Sequence, residues 1–148
     1  MENIVILGGG IAGTSAAEDI RKANAEVSIT IIEQEHHPLY SRVLLPHYVK
    51  GKVTRERVFL KTWEWYAEHR IDIMPGVRVE GIDVVNRFVT TSEGRELPFD
   101  ALILAGGGEL NVLGGEPRGT SYLRGVDDAD ELLGLIRETK MRPADEQR

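Results

Sequence analysis

Asn3-Ile-Val-Ile-Leu7 runs directly into Gly8-Gly-Gly10-Ile-Ala-Gly13-Thr-Ser-Ala-Ala17, and a second apolar run, Val27 to Ile32, ends in Glu33. This stretch decides the fold. A buried strand feeds a glycine turn, the turn opens a helix, and a second strand closes on a carboxylate. Gly8 permits the tight turn, Gly10 removes a Cβ from the path of a pyrophosphate, and Gly13 lets the helix pack close on the sheet. The N–H groups at the helix start, those of Ile11 and Ala12 included, carry partial positive charge toward such a phosphate. A carboxylate at Glu33, with Gln34 beside it, suits a ribose with a free 2′-hydroxyl and repels a 2′-phosphate. The spacing predicts a β-α-β dinucleotide-binding unit.

At 148 residues, 41% of them hydrophobic, the chain is long enough for one domain with its own core and short for two. A net charge of −6 leaves no basic footprint for nucleic acid. No apolar run approaches the roughly 20 residues of a membrane span. The first strand lacks a basic flank and breaks into glycine, so it is not read as a leader, and a cytoplasmic location is expected. The absence of cysteine excludes disulfides, thiolate metal sites and a redox dithiol carried by this chain. Adjacent His36 and His37, with His47, lie in a stretch without helical period and make a poor ligand set, so no metal site is assigned, and no catalytic side chain is assigned either.

Beyond Glu33, residues 34 to 52 show no clear period and read as a long functional loop. Thr62 to Arg70 reads as a short helix capped by Thr62, with Trp63 in the core and Trp65 at the surface. Ile71 to Met74 is a strand closed by Pro75-Gly76. Val77 to Asp83, Arg87 to Thr91 and Glu96 to Pro98 form a meander turning at Glu93-Gly94, and Asp100 to Leu104 returns to the parallel sheet before Ala105-Gly-Gly-Gly108. Residues 109 to 119 read as loop. Asp127 to Lys140 is a helix with Leu132, Leu135 and Ile136 as its stripe and acidic residues at its start; the tail from Pro143 is expected to fray. The expected architecture is α/β: a Rossmann-like FAD/NAD(P)-binding fold, a parallel sheet with an inserted β-meander. Residues 1–108 form the first binding segment, and 109–148 a connecting loop and C-terminal helix.

The ordered set Gly8 to Gly13, Ile31-Ile-Glu33, Tyr40-Ser-Arg42-Val-Leu-Leu-Pro46, Gly76-Val-Arg-Val79, Phe99 to Gly107 and Tyr122-Leu-Arg124 followed by Asp127-Asp-Ala129 resembles the N-terminal part of the FAD-dependent pyridine nucleotide–disulfide oxidoreductases. Its look is nearest to the cysteine-free branch of rubredoxin reductase, ferredoxin reductase and the flavin domain of nitrite reductase. The resemblance implies that Gly8, Gly10 and Gly13 hold the FAD pyrophosphate and that Glu33 binds the adenosine ribose. It further implies Arg42 along the pyrophosphate and flavin, the Val79 backbone at the adenine edge, and Ala105, Gly106 and Gly107 close to the cofactor. The chain departs from the family pattern at Gly106, where a Thr is common, and at His47, where ferredoxin reductases place a Lys.

The resemblance also implies a second glycine-loop domain for NAD(P)H and a returning segment that finishes the FAD fold; neither follows in this sequence, so the fold is expected to be incomplete. NAD(P)H would act only where that domain is supplied elsewhere. The returning segment would lie beside Ala101 to Leu104, so a second chain or self-association is expected to cover an open strand edge. The expected function is the FAD-binding part of an NAD(P)H-dependent flavoprotein oxidoreductase passing electrons to a small redox acceptor. The alternatives are an adenine-dinucleotide-binding module and a structural subunit without redox turnover of its own.

Overall fold

Valine and isoleucine dominate the two N-terminal apolar runs, and their branched side chains fit a pleated strand better than a helix. In the computed structural model, which describes residues 3–112 and 120–141, the first run is β1 (Asn3–Leu7) and leads into helix α1 (Ile11–Ala23) and strand β2 (Ser28–Glu33). A 3-10 turn at Arg42–Leu44, helix α2 (Leu45–Val49), a second 3-10 turn at Glu56–Val58 and helix α3 (Trp63–Glu68) follow. Then come β3 (Asp72–Pro75), β4 (Val79–Asp83), β5 (Phe88–Thr91), β6 (Glu96–Pro98), β7 (Ala101–Leu104) and helix α4 (Val126–Met141). The chain divides into two units, Met1–Tyr40 with Leu60–Gly108 and Ser41–Phe59 with Glu109–Arg148.

In the first unit, four strands form an all-parallel sheet in the order β3-β2-β1-β7. Leu7 stands opposite Ile32 on one side and Leu104 on the other, so the strand ends that lead into the glycine loops are in register. β4, β5 and β6 form a separate antiparallel sheet. Side chains alternate across a strand. Ile4 and Ile6 therefore join Ile29, Ile31, Ala17, Tyr66 and Ile71 in one buried cluster, while Val5 joins Ile32, Val77 and Val89 in another. Helices α1 and α3 cover one face of the parallel sheet and the meander the other, which is why β1 is apolar on both sides. Each fully buried isoleucine, Ile6 and Ile31 at 0% exposure among them, contributes about 1.5–3 kcal/mol over an exposed one.

β7 lies at the sheet's edge, and among the described residues no strand pairs with its outer side. Leu104 is 70% exposed there. No helix among the described residues is long and apolar enough to cross a membrane.

α3 begins where expected, with the Thr62 hydroxyl accepting the Trp65 N–H at 3.3 Å. Its tryptophans reverse the expectation. Trp65 packs against the core beside Tyr66, with ring centroids 5.2 Å apart, whereas Trp63 is exposed. Residues two apart on a helix face nearly opposite ways, and the sheet lies on the Trp65 side. The aperiodic loop from residue 34 also contains more regular structure than expected, because Pro46 sits in the first turn of α2, where its missing N–H costs nothing.

In the second unit, α4 starts with Asp128 accepting the Arg124 and Gly125 N–H groups at 2.8 and 2.7 Å. Its buried residues are Val126 and Ala129, and the expected stripe residue Leu135 is exposed. The loop expected up to residue 119 lies from 113 onward outside the described residues, as does the tail from residue 142.

Candidate functional site

The glycine loop is assembled by close backbone contacts that only glycine permits. Gly8 adopts φ +103°, in the left-handed region, and a Cβ there would stand 2.4 Å from the Ala105 carbonyl oxygen. A Cβ on Gly13 would stand 1.9 Å from the Gly8 carbonyl oxygen, so α1 packs against the turn with no room for a side chain. At Gly10, by contrast, a Cβ would meet nothing within 4 Å. Two of the glycines fill structural needs; the third faces open space.

Helix α1 starts there without a side-chain cap and without an acidic residue in its first turn. Its first internal bond joins the Thr14 N–H to the Gly10 carbonyl at 3.0 Å, so the N–H groups of Ile11, Ala12 and Gly13 have no intrahelical acceptor. Together they present roughly half a positive charge. Ile11 and Ala12 are exposed, so an anion can reach them.

Glu33 ends β2 beside this turn. One carboxylate oxygen accepts the Gly9 N–H and the other accepts the Glu35 N–H at 2.9 Å. Both bonds orient the carboxylate and leave it lone pairs for further donors. The Gly76 and Val77 N–H groups bind the carbonyls of Glu35 and Glu33 at 3.1 and 3.0 Å, which ties the approach to Val79 and β4 to the end of β2. Gly76 adopts φ +73° at this junction, where a side chain is strained, and a Cβ there would also meet the His36 ring at 2.1 Å. On the other side of the turn, the Ala105 N–H extends the β7 pairing to the Leu7 carbonyl at 2.8 Å, bringing Ala105 and Gly106 against Gly8.

Gly8, Gly10, Ile11, Ala12, Gly13, Glu33, Ala105 and Gly106 thus gather at the ends of three adjacent strands. Gln34 is exposed next to Glu33, and Gly107 follows at φ +67°. Arg42 belongs to the second unit, where its guanidinium donates to the Arg124 carbonyl at 2.6 Å. His47, on α2, is exposed.

Three participants escaped the sequence reading. Gly9, the middle glycine, supplies the N–H that orients Glu33. Thr14 donates its hydroxyl to the Gly9 carbonyl at 2.9 Å, and the Tyr66 phenol meets Thr14 at 3.1 Å. Burial pushes the Tyr66 phenol above its ordinary pKa and the Glu33 charge adds to this, against the Leu39 N–H, which pulls the other way. The phenol therefore stays protonated at neutral pH. A threonine one position beyond the last loop glycine was the available signal; nothing in the sequence pairs it with Tyr66.

The sequence matches the pyridine nucleotide-disulphide oxidoreductase family over residues 2–141. The chain belongs to that family. FAD is the family's cofactor. A nitrite reductase (NAD(P)H) of Bacillus subtilis strain 168 is 34% identical over 143 residues, covering 94% of this chain and 18% of that protein. Putidaredoxin reductase of Pseudomonas putida is 32% identical over 140 residues, covering 87% of this chain and 32% of that one. Among solved structures, the covalent putidaredoxin reductase–putidaredoxin complex superposes with a TM-score of 0.83 at 30% identity, over 91% of this chain and 34% of the other. NADH:rubredoxin oxidoreductase from Clostridium acetobutylicum gives 0.82 at 27% identity, over 93% and 36%. This pyridine nucleotide-disulphide oxidoreductase sequence spans 18 to 36% of the length of the chains it matches in these comparisons.

The residues present fit the ADP half of the family's cofactor. The open side at Gly10 and the uncapped start of α1 suit the diphosphate, and the oriented Glu33 carboxylate suits ribose hydroxyls. Among the described residues no group of three or more histidines and carboxylates is arranged to hold a metal.

Proposed function

We propose that this chain is the FAD-binding segment of an NAD(P)H-dependent flavoprotein oxidoreductase that passes electrons to a small redox acceptor. The observation that carries the reading is the juxtaposition of an uncapped helix start, an open Gly10 and a doubly held Glu33 carboxylate. In this reading Gly8, Gly10, Ile11, Ala12 and Gly13 bind the diphosphate through backbone, and Glu33 with Gln34 receives the adenosine ribose. The Val79 backbone meets the adenine edge, Ala105 to Gly107 line the cofactor's path, and Arg42 contributes a guanidinium toward phosphate and flavin. Residues 1–108 are then the first binding segment, and 109–148 the connection and closing helix.

Bound FAD supplies the chemistry, accepting a hydride pair and releasing electrons one at a time. This chain's residues position the cofactor and set its electrostatic surroundings. The nicotinamide site is assigned to sequence outside this stretch, in the same polypeptide or another, and a cytoplasmic setting is proposed with it.

The outer side of β7 calls for a cover, because an open strand edge templates association. We assign it to a further strand, from a longer polypeptide, a second chain or a second copy. A second functional reading, an adenine-nucleotide module without redox turnover, is supported by the glycine loop, Glu33 and Ala105 all lying within the first unit.

The visible absorption spectrum of the purified chain, with the released cofactor identified by chromatography, tests both. Stoichiometric FAD, reducible by NADH once a nicotinamide domain is supplied, is the expected result. A colourless chain that binds ADP but takes up no FAD would replace the first reading with the second.

A further inference from the structure

Thr14 and Tyr66 are each 1% exposed and sit 52 residues apart in sequence, yet their hydroxyls meet at 3.1 Å directly behind the glycine loop. The direction of the hydrogen-bond chain through them follows from valence. The Gly9 carbonyl only accepts, so Thr14 gives it its single hydroxyl proton across 2.9 Å. Thr14 then offers Tyr66 only lone pairs, and the phenol donates. The phenol oxygen in turn accepts the Leu39 N–H at 3.3 Å. The chain runs from Leu39 N–H through Tyr66 O–H and Thr14 O–H to Gly9 C=O.

In a trans peptide, the carbonyl of one residue and the N–H of the next point in opposite directions within one plane. With the Gly9 carbonyl held in the buried interior, the Gly10 N–H is turned outward, to the side where Gly10 is exposed and a Cβ would meet nothing within 4 Å. The peptide on the other side of Gly9 is held as well, because the Gly9 N–H is donated to Glu33. Successive hydrogen bonds pointing one way also polarise each other, so a carbonyl at the end of such a chain carries a more polar peptide behind it.

We propose that Thr14 and Tyr66 are positioning residues for the dinucleotide diphosphate: they lock the Gly9–Gly10 peptide so that the Gly10 N–H is aimed at a phosphate oxygen. This rests on the FAD-binding reading above and assigns a role to two side chains that do not touch the cofactor. It also makes Leu39, the start of the segment leading to Tyr40, part of the same chain of bonds.

The test is the ADP dissociation constant, measured by calorimetry on the full chain and on Thr14→Val, Thr14→Ser, Tyr66→Phe and the Thr14→Val/Tyr66→Phe pair, alongside urea unfolding of each. Thr14→Val and Tyr66→Phe should each weaken ADP binding by about three- to tenfold. The double variant should lose less than the product of the two, because both break one chain. Thr14→Ser, which keeps the hydroxyl, should restore wild-type affinity.

A merely structural role would lower unfolding midpoints while leaving the ADP constant of the folded chains unchanged, and that result overturns the proposal. If Tyr66→Phe fails to fold, Thr14→Val against Thr14→Ser decides. A wild-type chain that binds neither ADP nor FAD takes down the FAD-binding reading, and this inference with it. Wild-type binding with unaffected variants takes down the positioning role alone.

Discussion

The Glu33 carboxylate holds the Gly9 N–H with one oxygen and the Glu35 N–H with the other, so the end of β2 and the turn after β1 are fastened through one side chain. A carboxylate at this place therefore has a folding role apart from any ligand. Hydrogen bonds to a charged acceptor contribute more than neutral ones, and an N–H left facing an amide donor loses its partner.

Glu33→Gln should destabilise the chain by about 1–3 kcal/mol, because the amide offers one acceptor oxygen where two are used. Urea unfolding monitored by circular dichroism checks this. The same variant should bind ADP less tightly, since its amide nitrogen cannot accept from a ribose hydroxyl; an unchanged ADP constant in the folded variant would remove Glu33 from the ribose site.

The three loop glycines should separate into two classes. Gly13→Ala drives a Cβ into the Gly8 carbonyl and should cost about 3 kcal/mol or more, since relief requires parting α1 from β1. Gly10→Ala has open space and should change stability by less than about 1 kcal/mol. Its methyl group should nevertheless obstruct the diphosphate. Unfolding midpoints and ADP titrations of the two variants, run side by side, distinguish architecture from binding.

Arg21 clamps four carbonyls at the ends of two helices. Its guanidinium donates to His69 at 2.9 Å, Asn24 at 3.2 Å, Ala25 at 2.7 Å and Arg70 at 2.7 Å, the last in a left-handed turn with φ +52°. A lysine ammonium is a single point charge and cannot span these acceptors. Arg21→Lys should lower stability by about 1–2 kcal/mol, with the loss visible as faster hydrogen exchange around Arg70.

Alkaline pH should weaken the fold through the buried phenol of Tyr66 and the half-buried one of Tyr48. Burial, first of all, raises the pKa of Tyr66 above its ordinary value, and burial followed by the Asp130 hydrogen bond does so for Tyr48. A phenol raised in the folded state binds its proton more tightly there than in the unfolded chain. Its stabilisation is complete below the ordinary tyrosine pKa of about 10 and is lost as pH rises from there through the folded value. Urea unfolding between neutral and strongly alkaline pH should show this decline, and Tyr66→Phe should flatten part of it. Equal slopes for the two proteins would show that Tyr66 titrates alike folded and unfolded.

The β-α-β-Glu unit was legible because everything that defines it is local. Gly8, Gly10 and Gly13 are spaced by the geometry of one turn and one helix start, and Glu33 follows at the end of the next strand. The meander and β7 were legible from turn residues and apolar runs, with boundaries that differ by one or two residues from those observed. The helix Leu45–Val49 was not, because five residues provide too little period to stand out from a loop.

What the sequence determined by itself is the family and the order of the strands with α1, α3 and α4, since strand alternation, glycine turns and helix starts are short-range consequences of residue type. Tertiary structure alone decided which faces those elements bury. Trp63 and Trp65 carry the same local propensity, and only the position of the sheet puts Trp65 inside. Thr14 and Tyr66 meet because α1 and α3 pack on the same face of the parallel sheet, and no local pattern encodes a contact across 52 residues. The backbone polar groups of the glycine loop had to find partners once buried, and the hydroxyls that satisfy them come from wherever packing delivers them.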